Sequence, residues 1–148
     1  MVANQEVKEN AKMKRIMGID YGDARTGIAV SDLLCSIVGT TKVIHSRNMD
    51  KTLTAVLELL KDSDIGEIVV GLPKNMDGTE GERAQISREL AEELKEATGL
   101  PVVLWDERRS SVEAHAILHA NGKKMKDHRK NVDAVAAMLM LEGYLGRF

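Results

Sequence analysis

Lys14-Arg15-Ile16-Met17-Gly18-Ile19-Asp20-Tyr21-Gly22-Asp23-Ala24-Arg25-Thr26-Gly27-Ile28-Ala29-Val30-Ser31 holds two apolar runs around a short polar turn. Lys14 to Tyr21 reads as a buried strand with an acid, Asp20, at its end. Gly27 to Ser31 reads as a second strand, and Gly22 to Thr26 has the length and residues of a hairpin turn. A carboxylate at the edge of a core is costly unless it is paired, hydrogen-bonded or bound to a cation. Two further acidic positions repeat the pattern. Asp106-Glu107 follows Val102-Val103-Leu104-Trp105, and Asp133 interrupts the apolar run from Val132 to Leu141. Acids this far apart in sequence, each set against apolar residues, point to one shared site.

The remaining elements follow from periodicity and punctuation. Gly39 to His45, rich in Thr, Val and Ile, reads as a third strand. Asn48 caps a helix from about Met49 to Asp62, with Leu53, Val56, Leu57 and Leu60 on one face. Ile65 to Leu72 is a fourth strand, buried on both faces. Pro73 to Gly81 is a long polar loop with an Asp77-Gly78 turn. Glu82 to Thr98 is an amphipathic helix ended by Gly99, and Pro101 to Trp105 is a fifth strand. Ser110 or Ser111 starts a helix reaching Ala120, Lys123 to Lys130 reads as a basic loop, and Asn131 caps a last helix to about Leu145. The order β-β-β-α-β-α-β-α-α predicts an α/β fold, a mixed five-stranded sheet flanked by helices.

With 148 residues, the chain fits one domain with a real core. Residues 1–12 are polar and aperiodic and read as a flexible tail, leaving 13–148 as the single folded domain. A net charge of −2 excludes a uniformly basic coat but leaves room for a local basic patch. The single cysteine, Cys35, forms no internal disulfide and points to a reducing, cytoplasmic setting. No apolar run nears the roughly 20 residues that span a bilayer, so no membrane partner is expected. Aromatic residues make up 3%, too few for a base-stacking platform built from several rings.

Several short motifs, in order and at their spacing, resemble the bacterial YqgF/RuvX family. They are Ile19-Asp20-Tyr21-Gly22, Gly27-Ile28-Ala29-Val30-Ser31-Asp32, Val70-Gly71-Leu72-Pro73, Asn75-Met76-Asp77-Gly78-Thr79, Asp106-Glu107-Arg108 and Val112-Glu113-Ala114. The likeness runs from about Lys14 to Tyr144. It implies a ribonuclease H-like fold and a cytoplasmic nuclease linked to maturation of the 5′ end of pre-16S ribosomal RNA. It also implies kinship with Holliday-junction resolvases, which act on four-way DNA junctions. Two features depart from the family pattern. The first hairpin usually carries a basic residue, an Arg and an aliphatic residue before the glycine, where this chain has Ala24-Arg25-Thr26. The N-terminal tail has no counterpart.

Phosphodiester hydrolysis needs an activated water, an in-line approach and charge relief on the leaving oxygen, which two hard divalent cations supply together. Such cations, Mg²⁺ or Mn²⁺, take carboxylate oxygens. Asp20, Asp106, Glu107 and Asp133 are the candidate ligands, with Asp20, Glu107 and Asp133 the expected catalytic set. Alternation along the strand points Asp106 and Glu107 to opposite faces, and the motif favours Glu107. Asp20 has a plainer reading as the cap of a hairpin turn. Asp133 has one as a first-turn acid complementing the helix dipole.

Arg25, Lys74, Asn75, Arg108, Lys123, Lys124, Lys126, Arg129 and Lys130 are candidate contacts to a nucleic-acid strand, either precursor ribosomal RNA or branched DNA. Contacts of this kind give affinity and salt dependence rather than sequence choice. A solvated charge run is the alternative for the lysine-rich stretch. His115 and His119 lie four apart, a zinc-pair spacing with no third ligand nearby. A resolvase cutting two strands in concert works as a symmetric dimer, so a monomer or a homodimer is expected according to substrate. Two other classes compete with the nuclease: an ATP-binding phosphotransferase, which needs a second such domain, and a non-catalytic RNA- or ribosome-binding module.

Overall fold

The computed structural model describes residues 14–106 and 125–146, the side chains of 125–131 excepted. The readings of 1–12 as a tail and of 110–120 as a helix lie outside these residues. The described elements are β1 (Arg15–Asp20), β2 (Arg25–Ser31), β3 (Val38–His45), α1 (Met49–Lys61), β4 (Ile65–Leu72), α2 (Glu82–Thr98), β5 (Val102–Asp106) and α3 (Met125–Leu145). They build the expected mixed five-stranded sheet, in the order β3-β2-β1-β4-β5. β1 pairs antiparallel with β2 and β2 with β3, whereas β4 runs parallel to both β1 and β5.

Local chemistry sets the boundaries. The Asn48 side chain accepts the Lys51 amide and starts α1. Gly99, in the left-handed region at φ 71°, ends α2. Register shifts at Arg15/Ile16 and Val30/Ser31 break the ladder, and the buried Ser31 hydroxyl accepts the Ile16 amide at 2.9 Å. That bond removes the penalty of a buried unpaired amide.

Each sheet face carries its own core. Met17, Ile19, Ile28, Ile68 and Val70 face α1 and α2, where Val56, Leu90 and Leu94 close the layer. Ile16, Ala29 and Val69 face α3, which contributes Ala137, Leu141, Tyr144 and Leu145. Each large aliphatic side chain fully buried this way is worth about 1.5–3 kcal/mol. Tyr144 also meets Trp105 edge to face at 5.4 Å, and its hydroxyl bonds the Glu67 carboxylate. Cys35 is only half-buried. It stands at φ 56° in the turn after β2, with its thiol donating to the Lys14 carbonyl.

The last helix differs from expectation. It begins at Met125, so Asn131 lies inside it rather than at its cap, and 125–130 are helical rather than loop. Lys and Arg are good helix formers, and their lack of apolar periodicity conceals the helix. The helix lies on two glycines. A Cβ at Gly18 would stand 3.0 Å from the end of Met140, and one at Gly27 would stand 2.1 Å from the Asp133 carbonyl oxygen. At Gly27 the neighbour is main chain, and so close an approach admits only glycine, whereas at Gly18 the neighbours are the side chains of Met140 and Leu141.

Gly27→Ala is expected to push α3 off the sheet and to cost roughly 1–3 kcal/mol, read as a lower melting temperature. Gly39→Ala, in β3 where an added Cβ meets its nearest neighbour at an ordinary 3.6 Å, is the control expected to melt no lower than wild type. Equal melting of the two variants would refute this account of the helix seat.

Candidate active site

One edge of the sheet gathers the candidate residues. β1, β4 and β5 run parallel and end there at Asp20, Leu72 and Asp106, and β2 begins there at Arg25 opposite His45, the end of β3. The carboxyl ends of strands in open α/β sheets are where ligands bind.

Strand alternation assigns the faces. Gly18 faces α3, so Asp20, two residues on, shares that face. Asp20 stands opposite Gly27 in the β1–β2 register, and Gly27 lies directly beneath the Asp133 main chain. The Asp20 position and the Asp133 main chain therefore lie on the same side of the sheet at the same end. Both are half-buried.

Asp133 sits in the third turn of α3, because that helix starts at Met125. The dipole reading is thereby removed, since that effect fades beyond the first turn. Its side chain is 23% exposed, and its Oδ2 lies 2.9 Å from the Arg25 Nε. That oxygen is buried and lacks a hydrogen bond of good geometry, so the guanidinium neutralises it without satisfying it. Burial pushes the Asp133 carboxyl above its ordinary range, against the opposing pull of Arg25 and His45.

Asp106 is exposed and ends β5 opposite Leu72. Alternation puts it on the Leu104 face, away from Asp20, and its backbone is two strand spacings from β1, roughly 10 Å. Glu107 and Arg108 lie outside the described residues. Among the described residues, no three His, Cys, Asp or Glu side chains converge closely enough to hold a metal. What the described residues bring together is the ion pair of Arg25 with Asp133, on the sheet face and at the strand end that also carry Asp20.

The other basic candidates divide. Lys74 pairs with Glu80 across a narrow bridge in the loop after β4. Asn75 donates its amide to the Thr79 hydroxyl at 2.9 Å, and Thr79 donates in turn to Asp77. Arg88 of α2 grips Glu80 through two bonds of 2.7 and 2.8 Å, which hold the Glu80 carboxyl below its ordinary range. Asn75 and Thr79 thus serve the loop itself. Lys126, Arg129 and Lys130 belong to α3, not to a loop. Lys123 and Lys124, with His115 and His119, lie outside the described residues.

One neighbour escaped the sequence reading. His45 is directly opposite Arg25 in the β2–β3 register and acts electrostatically on Asp133. A search for metal-ligand spacing passes over it; the hairpin register is the signal that finds it.

A family model described as "RuvX: Holliday junction resolvase" matches residues 14–147. The chain belongs to the RuvX family. A relative from Anaeromyxobacter dehalogenans, described as "Putative pre-16S rRNA nuclease", is 42% identical over 133 residues, covering 90% of this chain and 97% of its own. A relative of the same description from Halothermothrix orenii is 40% identical over 131 residues, with coverage of 88% and 94%. Among solved structures, "T. thermophilus RuvC in complex with Holliday junction substrate" matches with a TM-score of 0.54 at 16% identity, over 90% of this chain and 95% of that one. At that identity the likeness is one of architecture, and the architecture is ribonuclease H-like. No described helix is long and apolar enough to cross a membrane.

The raised Asp133 carboxyl has a stability consequence. It holds its proton more firmly folded than unfolded, so ionisation costs stability. The cost is absent below its unfolded value near 3.8 and complete above the folded one. Asp133→Asn is therefore expected to melt above wild type at about pH 7, with the gap closing as the pH falls to about 4. Melting temperatures of both proteins across that range check it, and a gap independent of pH would contradict the buried-charge account.

Proposed function

We propose that this chain is a divalent-cation-dependent nuclease that processes the 5′ end of pre-16S ribosomal RNA, in the cytoplasm. The observation that carries the reading is the placement of Asp20 and Asp133 on one face at one end of the sheet, in a chain of this family. Curated relatives about as long as this chain, described as pre-16S rRNA nucleases, support the substrate.

The residues fit a hard cation. The donors are carboxylate oxygens, which Mg²⁺ and Mn²⁺ prefer, and one of them, Asp133 Oδ2, is buried without a hydrogen bond. Asp20 and Asp133, with Glu107 as the third donor, are the groups that would hold it, whereas Asp106, on the opposite face of the sheet, would not. Bound there, a divalent cation supplies Lewis-acid activation of water and charge relief at the scissile phosphate. The protein's own groups do the rest. Asp20 is fixed by the last residue of a central strand, so its carboxylate needs little reorganisation. Arg25 neutralises Asp133 and provides a planar donor set suited to phosphate oxygens. Arg108 and the cations of 123–130 extend the grip along the strand.

Asp20→Asn is expected to abolish cleavage of a precursor 16S RNA in Mg²⁺ or Mn²⁺ while keeping the wild-type circular dichroism spectrum. Chelation should silence the wild type. The decisive experiment sets this RNA beside a four-way DNA junction, with wild type and Asp20→Asn in each metal. Faster cutting of the junction would shift the substrate to branched DNA. Firm RNA binding with no cutting would leave a binding module, and full activity in excess chelator would remove the cation chemistry.

A further inference from the structure

Beside the Asp20–Asp133 pair, an open cleft of roughly 530 Å³ is lined by Ala24, Arg25, His45, Ser46 and Arg47. We propose that this cleft is a phosphate subsite, in which His45 and Arg47 hold a backbone phosphate of the substrate strand next to the one being cut. The proposal rests on the nuclease reading and deepens it by fixing where the strand runs.

The cleft arises from hairpin register. Arg25 and His45 are cross-strand partners, so they share the face that α3 covers. The β3–α1 connection then carries Arg47 to the rim. That connection is rigidly held. The Ser46 amide donates to the Ala24 carbonyl at 3.0 Å, the Asn48 amide donates to the Ser46 hydroxyl at 3.1 Å, and Asn48 caps α1. Arg47 therefore projects from a backbone anchored on both sides, which lowers the entropy lost on binding.

Charge gives the ligand class. The lining, among the described residues, contains two arginines and a histidine and no carboxylate. Among the described residues, the ion pair that reaches this cleft is Arg25 with Asp133, and neither His45 nor Arg47 forms one. His45 and Arg47 are exposed. Cations gathered in a concavity, with donors in a planar fork, suit a phosphate group. The cleft adjoins Asp133 through Arg25, which lines the one and pairs with the other, so a strand bound at Asp133 has the cleft as its neighbour. Among the described residues, the lining offers the base of an isolated mononucleotide no aromatic ring to stack on. The continuous backbone is the ligand that the lining recognises.

The test separates binding from cutting. A fluorescent single-stranded RNA spanning the pre-16S 5′ end is titrated in chelator, from low to high NaCl, with wild type, Arg47→Gln, His45→Gln and Lys61→Gln. Each phosphate contact contributes about 0.7 to the slope of log affinity against log salt for a single strand. Arg47→Gln is expected to weaken binding severalfold and to flatten the slope by about 0.7. His45→Gln, which keeps a donor, should weaken binding less. Lys61→Gln, an exposed lysine on the far end of α1 paired with Glu58, should match wild type. Wild-type slope and affinity in Arg47→Gln would overturn the subsite even if the enzyme cuts RNA normally. The expected slope change in a protein that never cuts would keep the subsite and sink the nuclease reading. Absence of salt-dependent binding in the wild type would overturn the subsite as well.

Discussion

The main chain of α3 rests on Gly27 with no space for a side chain between them. Everything on that side of the sheet depends on this contact. It brings the helix close enough for Ala137 and Leu141 to close the second core. It also fixes the height of Asp133 above the sheet and thus its distance from Asp20, the register partner of Gly27. Packing and chemistry share one constraint here. A helix held farther out would lose apolar contacts and open the acid pair together.

The site opposes its own fold in a definite way. Asp133 is half-buried, with an oxygen that finds a guanidinium but no aligned hydrogen bond. Burying a charge this way is unfavourable, and the cores on both faces offset it. Arg25 opposes the effect of burial on this carboxyl without outweighing it. Functional groups often carry strain of this kind, tolerated because packing elsewhere overdetermines the backbone.

Much of this was legible in the sequence. Alternation and turn residues gave five strands. Asn48 and Gly99 marked a helix start and a helix end by cap chemistry that is local and therefore readable. Asp20 declared itself as an acid closing an apolar run. The start of α3 was hidden because 125–130 are charged helix formers without an apolar stripe, and Asn131 imitated a cap. The pairing of Arg25 with Asp133 and the seat of Asp133 on Gly27 join residues more than a hundred positions apart, which no local pattern encodes. His45 and Arg47 became visible only through the hairpin register, a property of the pair of strands rather than of either one.

The loop after β4 has a mechanical consequence. Its turn places Gly78 at φ 91°, its polar side chains bond one another, and Arg88 clamps its base to α2. A loop braced this thoroughly does not swing shut over its cargo. It is a fixed wall following the end of β4, so under the proposed function conformational adjustment would fall to the nucleic-acid strand. Unpaired RNA, whose bases splay apart at modest cost, meets that demand more readily than a stiff duplex.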